Sequence, residues 1–267
     1  MGDLEAALRA RREAGGRAFV PYVTGGLPGV DAELLRGLAE AGADAIEVGI
    51  PFSDPVMDGG VIQEASRRAL EVGTRPLDVV AMVAEAAPGI PVVVMTYYNP
   101  VLRLGEARFC ETAAAAGVAG VIVPDLPVDE AEGWRERCLA HGIAAVFLAA
   151  PGSSPERLRA VAAAARGFVY CVSTYGVTGE REELAGTAEE VVRALRPLTD
   201  VPLLVGVGIG SPEQAASACA FADGVIVGSA LVRRLLAADR EGALELARAF
   251  RAAVPLGAQG ASSGAIG

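Results

Sequence analysis

Three carboxylates in and after one short apolar segment are the residues most suited to chemistry. Glu47 lies within the apolar segment 45–49, and Asp54 and Asp58 lie in the polar, glycine-containing loop that follows Pro51. Enzymes of the α/β class present acid and base groups in this way, with one carboxylate near a strand end and another in the next loop. A structural interpretation stays open, because Glu47 can reach water from a strand end and loop aspartates commonly stabilise turns.

Composition excludes several classes of function. The chain has 267 residues, of which 52% are hydrophobic and 21% are charged, which is typical of a soluble globular protein with a large core. Its net charge of -10 argues against a nucleic-acid partner or an anionic membrane. No apolar run reaches the roughly 18 residues of a membrane helix, and the charged residues 1–14 predict an amphipathic helix rather than a signal peptide. We therefore expect a cytoplasmic protein.

Metal and Schiff-base chemistry are also disfavoured. The four cysteines form no Cys-x-x-Cys pair, and His141 is the only histidine, so no metal site is predicted. The cysteines lie in apolar segments and are interpreted as small core residues in a reducing compartment. The chain contains no lysine, which excludes a cofactor held here as a Schiff base.

Eight short apolar segments alternate with helical patterns over roughly 250 residues, the size of a barrel of eight βα units. The segments are 18–23, 45–49, 91–95, 120–123, 144–148, 168–172, 203–206 and 224–227. Continuous apolar runs are typical of parallel strands buried on both faces, which favours a closed (β/α)8 TIM barrel with an extra N-terminal helix over a doubly wound open sheet. We predict one domain over residues 1–256 and a disordered tail at 257–267. We also predict that the third strand continues through 96–100 and that a helix spans about 188–195.

In such a barrel the active site lies at the carboxyl ends of the strands. Tyr170 lies within the sixth strand, where a phenol needs a partner for its hydroxyl, and the barrel arrangement would let it reach Asp58. Simple core packing is the alternative for this tyrosine. Glycines follow the last two strands, at 206–210 and 228–229. Because glycine lets backbone N–H groups approach an anion, these loops predict a phosphate site, with ligand-free tight turns as the alternative.

With these residues assembled, the chain resembles the alpha subunit family of tryptophan synthase up to about Ala253. The long motif around the carboxylates is the most specific, and the order of the others along the chain adds weight. In chain order the motifs are Phe19-Val20-Pro21-Tyr22-Val23-Thr24, Glu47-Val48-Gly49-Ile50-Pro51-Phe52-Ser53-Asp54-Pro55 with Asp58-Gly59 and Ile62-Gln63, Met95-Thr96-Tyr97-Tyr98-Asn99-Pro100, Val123-Pro124-Asp125-Leu126-Pro127, Gly176-Val177-Thr178-Gly179, Gly208-Ile209 with Ser211-Pro212-Glu213-Gln214, and Gly228-Ser229.

The resemblance implies a carbon–carbon lyase of tryptophan biosynthesis that splits indole-3-glycerol phosphate into indole and glyceraldehyde 3-phosphate. Glu47 is then the general acid–base that protonates the indole carbon, Asp58 accepts a hydrogen bond from the indole N–H, and Tyr170 orients Asp58. The other implied roles are phosphate binding by Gly179, Gly208, Gly228 and Ser229, an indole pocket of Tyr22, Met95, Ile122 and Val207, and loop closure at Thr178.

The resemblance further implies a partner. The family's alpha subunit works in an alpha-beta-beta-alpha complex beside a beta subunit, which carries pyridoxal phosphate and receives indole through a tunnel. This chain departs from the family's usual residues at 56–57, which are Val-Met instead of Leu-Ala, at Gly60 instead of proline, and at Thr174 instead of arginine. These departures concern loop closure and coupling to the beta subunit rather than the catalytic groups.

Three alternatives remain at this point. The chain could be a stand-alone lyase that releases free indole, which the altered Asp58 loop favours, or a non-catalytic scaffold that only activates a beta subunit. The third alternative is another phosphate-binding barrel, an isomerase or aldolase. That class would need a lysine nucleophile or a metal cluster, and the sequence offers neither.

Overall fold

Eight parallel strands close into a barrel in sequence order, each paired with the next and the eighth paired with the first. The computed structural model describes residues 4–173, 181–206 and 208–257, without the side chains of 181–186. The strands are β1 (Ala18–Thr24), β2 (Ile46–Gly49), β3 (Val92–Met95), β4 (Val118–Ile122), β5 (Ala144–Ala149), β6 (Val169–Val172), β7 (Leu203–Gly206) and β8 (Gly224–Val227). The predicted barrel is confirmed, and the doubly wound sheet is not formed.

Helices follow the strands on the outside of the barrel. They are α1 (Leu4–Glu13), α2 (Ala32–Glu40), α3 (Gly60–Glu71), α4 (Pro76–Ala86), α5 (Tyr98–Leu104), α6 (Glu106–Ala115), α7 (Glu132–Ala140), α8 (Pro155–Ala164), α9 (Arg181–Leu195), α10 (Pro212–Ala218), α11 (Ser229–Leu236) and α12 (Arg240–Ala253). A turn of 3-10 helix at Val128–Glu130 precedes α7. Within the described ranges, no helix is long and apolar enough to cross a membrane.

Side chains alternate between two apolar layers along each strand, as the period of two requires. Residues on one face pack against the surrounding helices, as Ile46 and Val48 of β2 do. Those on the other face fill the barrel, where a separate cluster includes Val20, Val93 and Ile226. The barrel is therefore a packed core, and only its carboxyl-terminal layer is free to carry polar side chains.

The N-terminal helix α1 closes the amino-terminal end of the barrel. Its Leu4 and Leu8 are each 1% exposed and belong to the interior cluster. Gly167, just before β6, has φ of +82°, and a Cβ on it would lie 2.7 Å from Leu4 Cδ2. Glycine is required there for both its backbone conformation and its lack of a side chain. With this end blocked, a ligand has to enter from the opposite end.

Two predicted boundaries were wrong. Residues 96–100 do not extend β3, because α5 begins at Tyr98, whose N–H donates to the Asp125 carboxylate at 2.9 Å. Pro100 lies in the first turn of α5, where a missing N–H leaves no helix hydrogen bond unmade. The helix predicted from about Ala188 begins at Arg181 and continues through Gly186, whose penalty of about 1 kcal/mol a 15-residue helix tolerates. Nearly all of the predicted disordered tail, residues 258–267, lies outside the described residues.

A buried ionic cluster around Asp44 joins the first and last parts of the chain. The Asp44 carboxylate accepts from Arg11 Nε at 2.7 Å, from the Phe19 N–H at 2.8 Å and from a terminal nitrogen of Arg251 at 2.7 Å. The side chains of Arg251 and Asp44 are only 9% and 8% exposed. Arg251 also donates to the backbone carbonyls of Arg17 and Val254. The cluster therefore fastens α1 and α12 to the start of the barrel.

We predict that Asp44→Ala lowers the free energy of unfolding by about 3 kcal/mol, because it leaves Arg251 buried without its counter-charge. Urea denaturation followed by circular dichroism measures this change. The control is Arg248→Ala, which removes an exposed ion pair with Glu241 and should change stability by less than about 1 kcal/mol. Equal effects of the two substitutions would show that the Asp44 cluster contributes no more than a surface ion pair.

Candidate active site

Glu47 projects into the carboxyl-terminal layer of the barrel. It lies in β2 between Ile46 and Val48, which face the helices, so the alternation of the strand turns its side chain inward. Its register partners are Tyr22 in β1 and Val93 in β3. The residue is 1% exposed, and among the described residues its Oε2 atom finds no hydrogen-bond partner. The structural interpretation, a glutamate whose side chain reaches water, is therefore excluded.

Burial decides the protonation state of Glu47. Desolvation, and to a smaller extent the charge of Asp58, raise the pKa of the Glu47 carboxyl to about 8. A carboxylic acid with such a pKa is protonated near neutral pH and has an O–H to give. This is the protonation state that a general acid needs before it reacts.

Asp58 reaches the same end of the barrel from the loop between β2 and α3. The loop folds as a series of turns, in which the Asp58 N–H donates to the Pro55 carbonyl at 3.0 Å and the Val56 N–H donates to the Asp54 carbonyl at 2.9 Å. Burial raises the pKa of Asp58 to about 6, although a hydrogen bond from Tyr97 lowers it. Asp58 is thus mostly ionised at neutral pH, where Glu47 is protonated.

The two carboxyl groups form a pair with opposite protonation states. Each one lies in a desolvated setting, and the charge of Asp58 disfavours ionisation of Glu47. Two interacting groups of this kind titrate in two steps that belong to the pair. Between the two steps the site holds one acid and one base, which is the arrangement that acid–base catalysis requires.

Two neutral phenols lie beside this pair. Burial is the largest cause that raises the pKa of both Tyr22 and Tyr170 well above the ordinary value, and the charges of Asp58 and Glu47 act in the same direction. The Tyr22 hydroxyl lies 3.3 Å from Thr24 Oγ1. Both hydroxyls therefore keep their protons and face the carboxyl groups as neutral hydrogen-bonding groups.

Two glycines make room for these phenols. A Cβ on Gly49 would lie 2.1 Å from the Tyr22 hydroxyl oxygen, and a Cβ on Gly206 would lie 2.2 Å from that of Tyr170. No side chain fits at either position without moving the phenol. The strand ends β2 and β7 therefore determine where the two hydroxyls lie.

The phenol that lowers the pKa of Asp58 in this structure is Tyr97, not Tyr170. Tyr97 follows β3, and its hydroxyl accepts the N–H of Met57, the residue before Asp58, at 3.0 Å. Tyr170 is close enough to feel the charge of Asp58. The role predicted for Tyr170, orienting that carboxylate, stays a prediction.

The predicted apolar pocket is partly described. Tyr22 is 6% exposed and Ile122 is 1% exposed, and Ile122 packs in the interior cluster with the half-buried Met95. Val207 lies outside the described residues. A cavity of about 310 Å³ opens between the loops after β4 and β5, and its lining includes Met57 and Leu148 but none of the predicted pocket residues.

The predicted phosphate residues gather where β7, β8 and β1 meet. Gly208 follows β7 with φ of +87°, and Gly228 and Ser229 form the start of α11. A Cβ on Gly228 would lie 3.4 Å from the Tyr22 ring, so this backbone borders the pocket closely. Helix N-termini and glycine-rich loops attract anions through free backbone N–H groups. Gly179 and Thr178 lie outside the described residues.

The fold and this site define a (β/α)8 barrel that carries a protonated carboxylic acid and an ionised carboxylate at its carboxyl-terminal end. In the described part of the chain, no group of three histidine, cysteine, aspartate or glutamate residues could hold a metal ion.

Residues 8–255 match the sequence profile of the family described as "Tryptophan synthase alpha chain". The tryptophan synthase alpha chain of Streptomyces avermitilis is 46% identical over 262 residues, which cover 96% of this chain and 95% of that one. That of Alkalilimnicola ehrlichii is 49% identical over 240 residues and 88% of each chain. The chain belongs to the tryptophan synthase alpha chain family, a family of lyases.

Solved structures agree with this assignment. A chain of Mycobacterium tuberculosis tryptophan synthase superimposes with a TM-score of 0.88 at 43% identity, covering 95% of this chain and 98% of that one. The tryptophan synthase alpha subunit of Legionella pneumophila gives a TM-score of 0.85 at 33% identity, with the same coverage. The barrel of this chain therefore has the fold of these tryptophan synthase chains.

Tyr97 is the site residue to which the sequence analysis gave no role. It was visible as a strand-end tyrosine in the motif at 95–100, but two adjacent tyrosines follow β3 and periodicity does not tell them apart. The structure separates them, since the Tyr98 hydroxyl donates to Glu106 on α6. Only a contact map of the folded loop could have assigned Tyr97 to Asp58.

We predict that the free energy of unfolding of Glu47→Gln, compared with that of wild type, shifts in favour of the variant as the pH rises. The pKa of Glu47 is near 4.5 in the unfolded chain and about 8 in the folded chain. Between these values the folded state binds more protons, so its stability falls as pH rises through this window. Above pH 8 the variant should be more stable by on the order of a few kcal/mol.

Urea denaturation at pH 5 and pH 9 measures this difference. Glu111→Gln makes the same chemical change at an exposed position on α6 and serves as the control. An identical effect of Glu47→Gln at both pH values would contradict a buried, protonated Glu47.

Proposed function

We propose that the chain cleaves indole-3-glycerol phosphate to indole and glyceraldehyde 3-phosphate by a retro-aldol reaction, as the alpha subunit of a tryptophan synthase complex. The observation that carries the proposal is the pairing of a buried, protonated Glu47 with an ionised Asp58 at one end of the barrel. Breaking this carbon–carbon bond requires a proton on the indole ring carbon and a base near the indole nitrogen. The pair supplies both.

Glu47 is the proposed general acid–base. Its carboxyl proton moves to the indole carbon that bears the glycerol chain, which makes the ring a leaving group. The carboxylate that results takes the proton of the side-chain hydroxyl next to the breaking bond, while that carbon becomes the aldehyde. The electron pair of the broken bond returns to the ring, and Glu47 is protonated again. Among the described residues the Oε2 atom of this acid makes no hydrogen bond, which supports its availability to the substrate.

Asp58 stabilises the positive charge that the indole ring carries between its protonation and the cleavage of the carbon–carbon bond. Protonation of the ring carbon makes the indole nitrogen positive, and a carboxylate that accepts the N–H hydrogen bond interacts more strongly with that state than with the substrate. Its half-buried position strengthens the interaction because water screens it less than at the surface. Tyr170 is retained as a residue that orients the carboxylates.

Binding at the far end of the substrate fixes the reacting atoms. Backbone N–H groups of Gly208, Gly228 and Ser229, together with Gly179, are proposed to hold the phosphate. The side chains of Tyr22, Met95, Ile122 and Val207 are proposed to enclose the indole ring, with Thr178 in loop closure. Anchoring both ends lowers the entropic barrier to bringing Glu47 and the ring carbon together.

The proposed partner is a tryptophan synthase beta subunit, which would carry pyridoxal phosphate and consume the indole. Val56 is 79% exposed and Met57 is 37% exposed, so the loop that bears Asp58 offers apolar side chains to a neighbouring subunit. This chain has no lysine for that cofactor. The residues that replace the family's usual Leu-Ala and proline act at this loop and not at the carboxyl groups.

We predict a bell-shaped dependence of kcat/KM on pH, with a maximum between about 6 and about 8. Activity falls below the lower value because Asp58 becomes protonated, and it falls above the upper value because Glu47 loses its proton. Glu47→Gln and Asp58→Asn should each lower kcat by about 100-fold or more while the circular dichroism spectrum is unchanged. Near-wild-type turnover by either variant would remove that residue from the mechanism.

Indole release measured with and without a purified beta subunit tests the assignment to a complex. We expect slow release by the chain alone and a rise of about tenfold or more when the partner is added. Fast release that the partner leaves unchanged would identify a stand-alone lyase instead. If wild type and Glu47→Gln both activate the beta subunit and neither releases indole, the chain would be a non-catalytic scaffold.

A further inference from the structure

Tyr97 connects the loop that carries Asp58 to the rigid end of β3. It is 2% exposed, and its hydroxyl accepts the Met57 N–H of that loop at 3.0 Å. The same hydroxyl lies near enough to the Asp58 carboxyl to lower the pKa of Asp58. Its ring stacks on Phe52 at the start of the loop, with ring centroids 5.1 Å apart and planes inclined by 28°. One side chain therefore contacts the loop at both ends.

The backbone of Tyr97 is itself fixed. It lies between the end of β3 and the start of α5, and the next N–H, that of Tyr98, donates to the Asp125 carboxylate after β4. A side chain on a fixed backbone can hold a mobile neighbour with little loss of its own entropy. Loop residues have a defined position only where contacts of this kind stabilise them by more than the conformational entropy that ordering costs.

We propose that Tyr97 is a positioning residue, which holds Asp58 at the indole nitrogen by fixing the adjacent Met57 N–H and by directing its own hydroxyl proton toward the Asp58 carboxylate. This inference rests on the proposed function, and it adds Tyr97 as a second residue that orients Asp58, beside the Tyr170 that the family resemblance names. The hydroxyl acts through Asp58 and does not itself touch the reacting atoms.

Several titratable groups face Asp58 from the packed elements. They are Tyr22 of β1, Glu47 of β2, Tyr97 after β3 and Tyr170 of β6, and the charge of Asp125 after β4 acts on Tyr97. Of these, Tyr97 supplies the hydrogen bond that lowers the pKa of Asp58. Loss of that hydroxyl should therefore raise the pKa of Asp58 above its value of about 6. A larger fraction of the protein molecules would then carry a protonated Asp58.

Tyr97→Phe tests the proposal because it removes the hydroxyl and keeps the ring that stacks on Phe52. We expect the acidic limb of the kcat/KM profile to move to higher pH by about one unit. The loss relative to wild type should be about tenfold at pH 6 and less than about threefold at pH 8, where Asp58 ionises in both proteins. A structural role alone would lower activity equally at all pH values.

Tyr98→Phe is the matched control, since the adjacent hydroxyl donates to Glu106 on α6 and not to the site. Its pH profile should coincide with that of wild type. A double-mutant cycle gives a second test, because Tyr97→Phe should change kcat/KM by less than about twofold in an Asp58→Asn background if it acts through Asp58. An undiminished loss in that background would overturn the proposal.

Carbon-13 NMR of labelled aspartate separates the failure of this inference from the failure of the proposed function. The Asp58 carboxyl signal, assigned by its absence in Asp58→Asn, is titrated in wild type and in Tyr97→Phe. A rise in its pKa in the variant supports the contact even if the chain cleaves no indole-3-glycerol phosphate. An unchanged pKa would overturn the proposal whatever the lyase activity.

Discussion

The desolvation of Glu47 is the constraint on which the rest of the site depends. A carboxyl group in the barrel interior must either be protonated or have a counter-charge, and the described residues offer it no basic neighbour. Arginines of the described residues form their ion pairs with other carboxylates, as Arg251 does with Asp44. The raised pKa of Glu47 therefore results from its surroundings, namely an apolar barrel and a second carboxyl group.

This constraint explains the small residues around the site. Tyr22 and Tyr170 are large neutral groups that exclude water from Glu47 without compensating its charge. They fit only because Gly49 and Gly206 have no side chains. Replacing either glycine would displace a phenol and admit water. The predicted phosphate site is compatible with the same constraint, because backbone N–H groups bind an anion without placing a cation near Glu47.

The sequence predicted the strands well and the loops poorly, for a physical reason. Parallel strands buried on both faces appear as apolar runs, so all eight were located, whereas the sequence left open whether Glu47 points inward or reaches water. By contrast, the start of α5 depends on the Asp125 carboxylate, which lies 27 residues from Tyr98. The contact between Tyr97 and Asp58 likewise depends on how a turn-rich loop folds back over β3. Contacts between distant residues leave no periodic pattern in the chain.

The loop between β2 and α3, which carries Asp58, shows why a departure from the family's usual residues need not disturb the chemistry. Gly60 is the first residue of α3, and a Cβ there would meet nothing within 4 Å, so no packing is lost without proline. Its effect is confined to the greater freedom of the unfolded loop, which lowers stability by about 1 kcal/mol or less. Contacts on either side of Asp58 offset this freedom. Gln63 donates to the Asp58 carbonyl at 2.8 Å, and the Tyr97 hydroxyl accepts the preceding N–H, that of Met57. The backbone around Asp58 is thus held by these hydrogen bonds and not by the stiffness of the chain at residue 60.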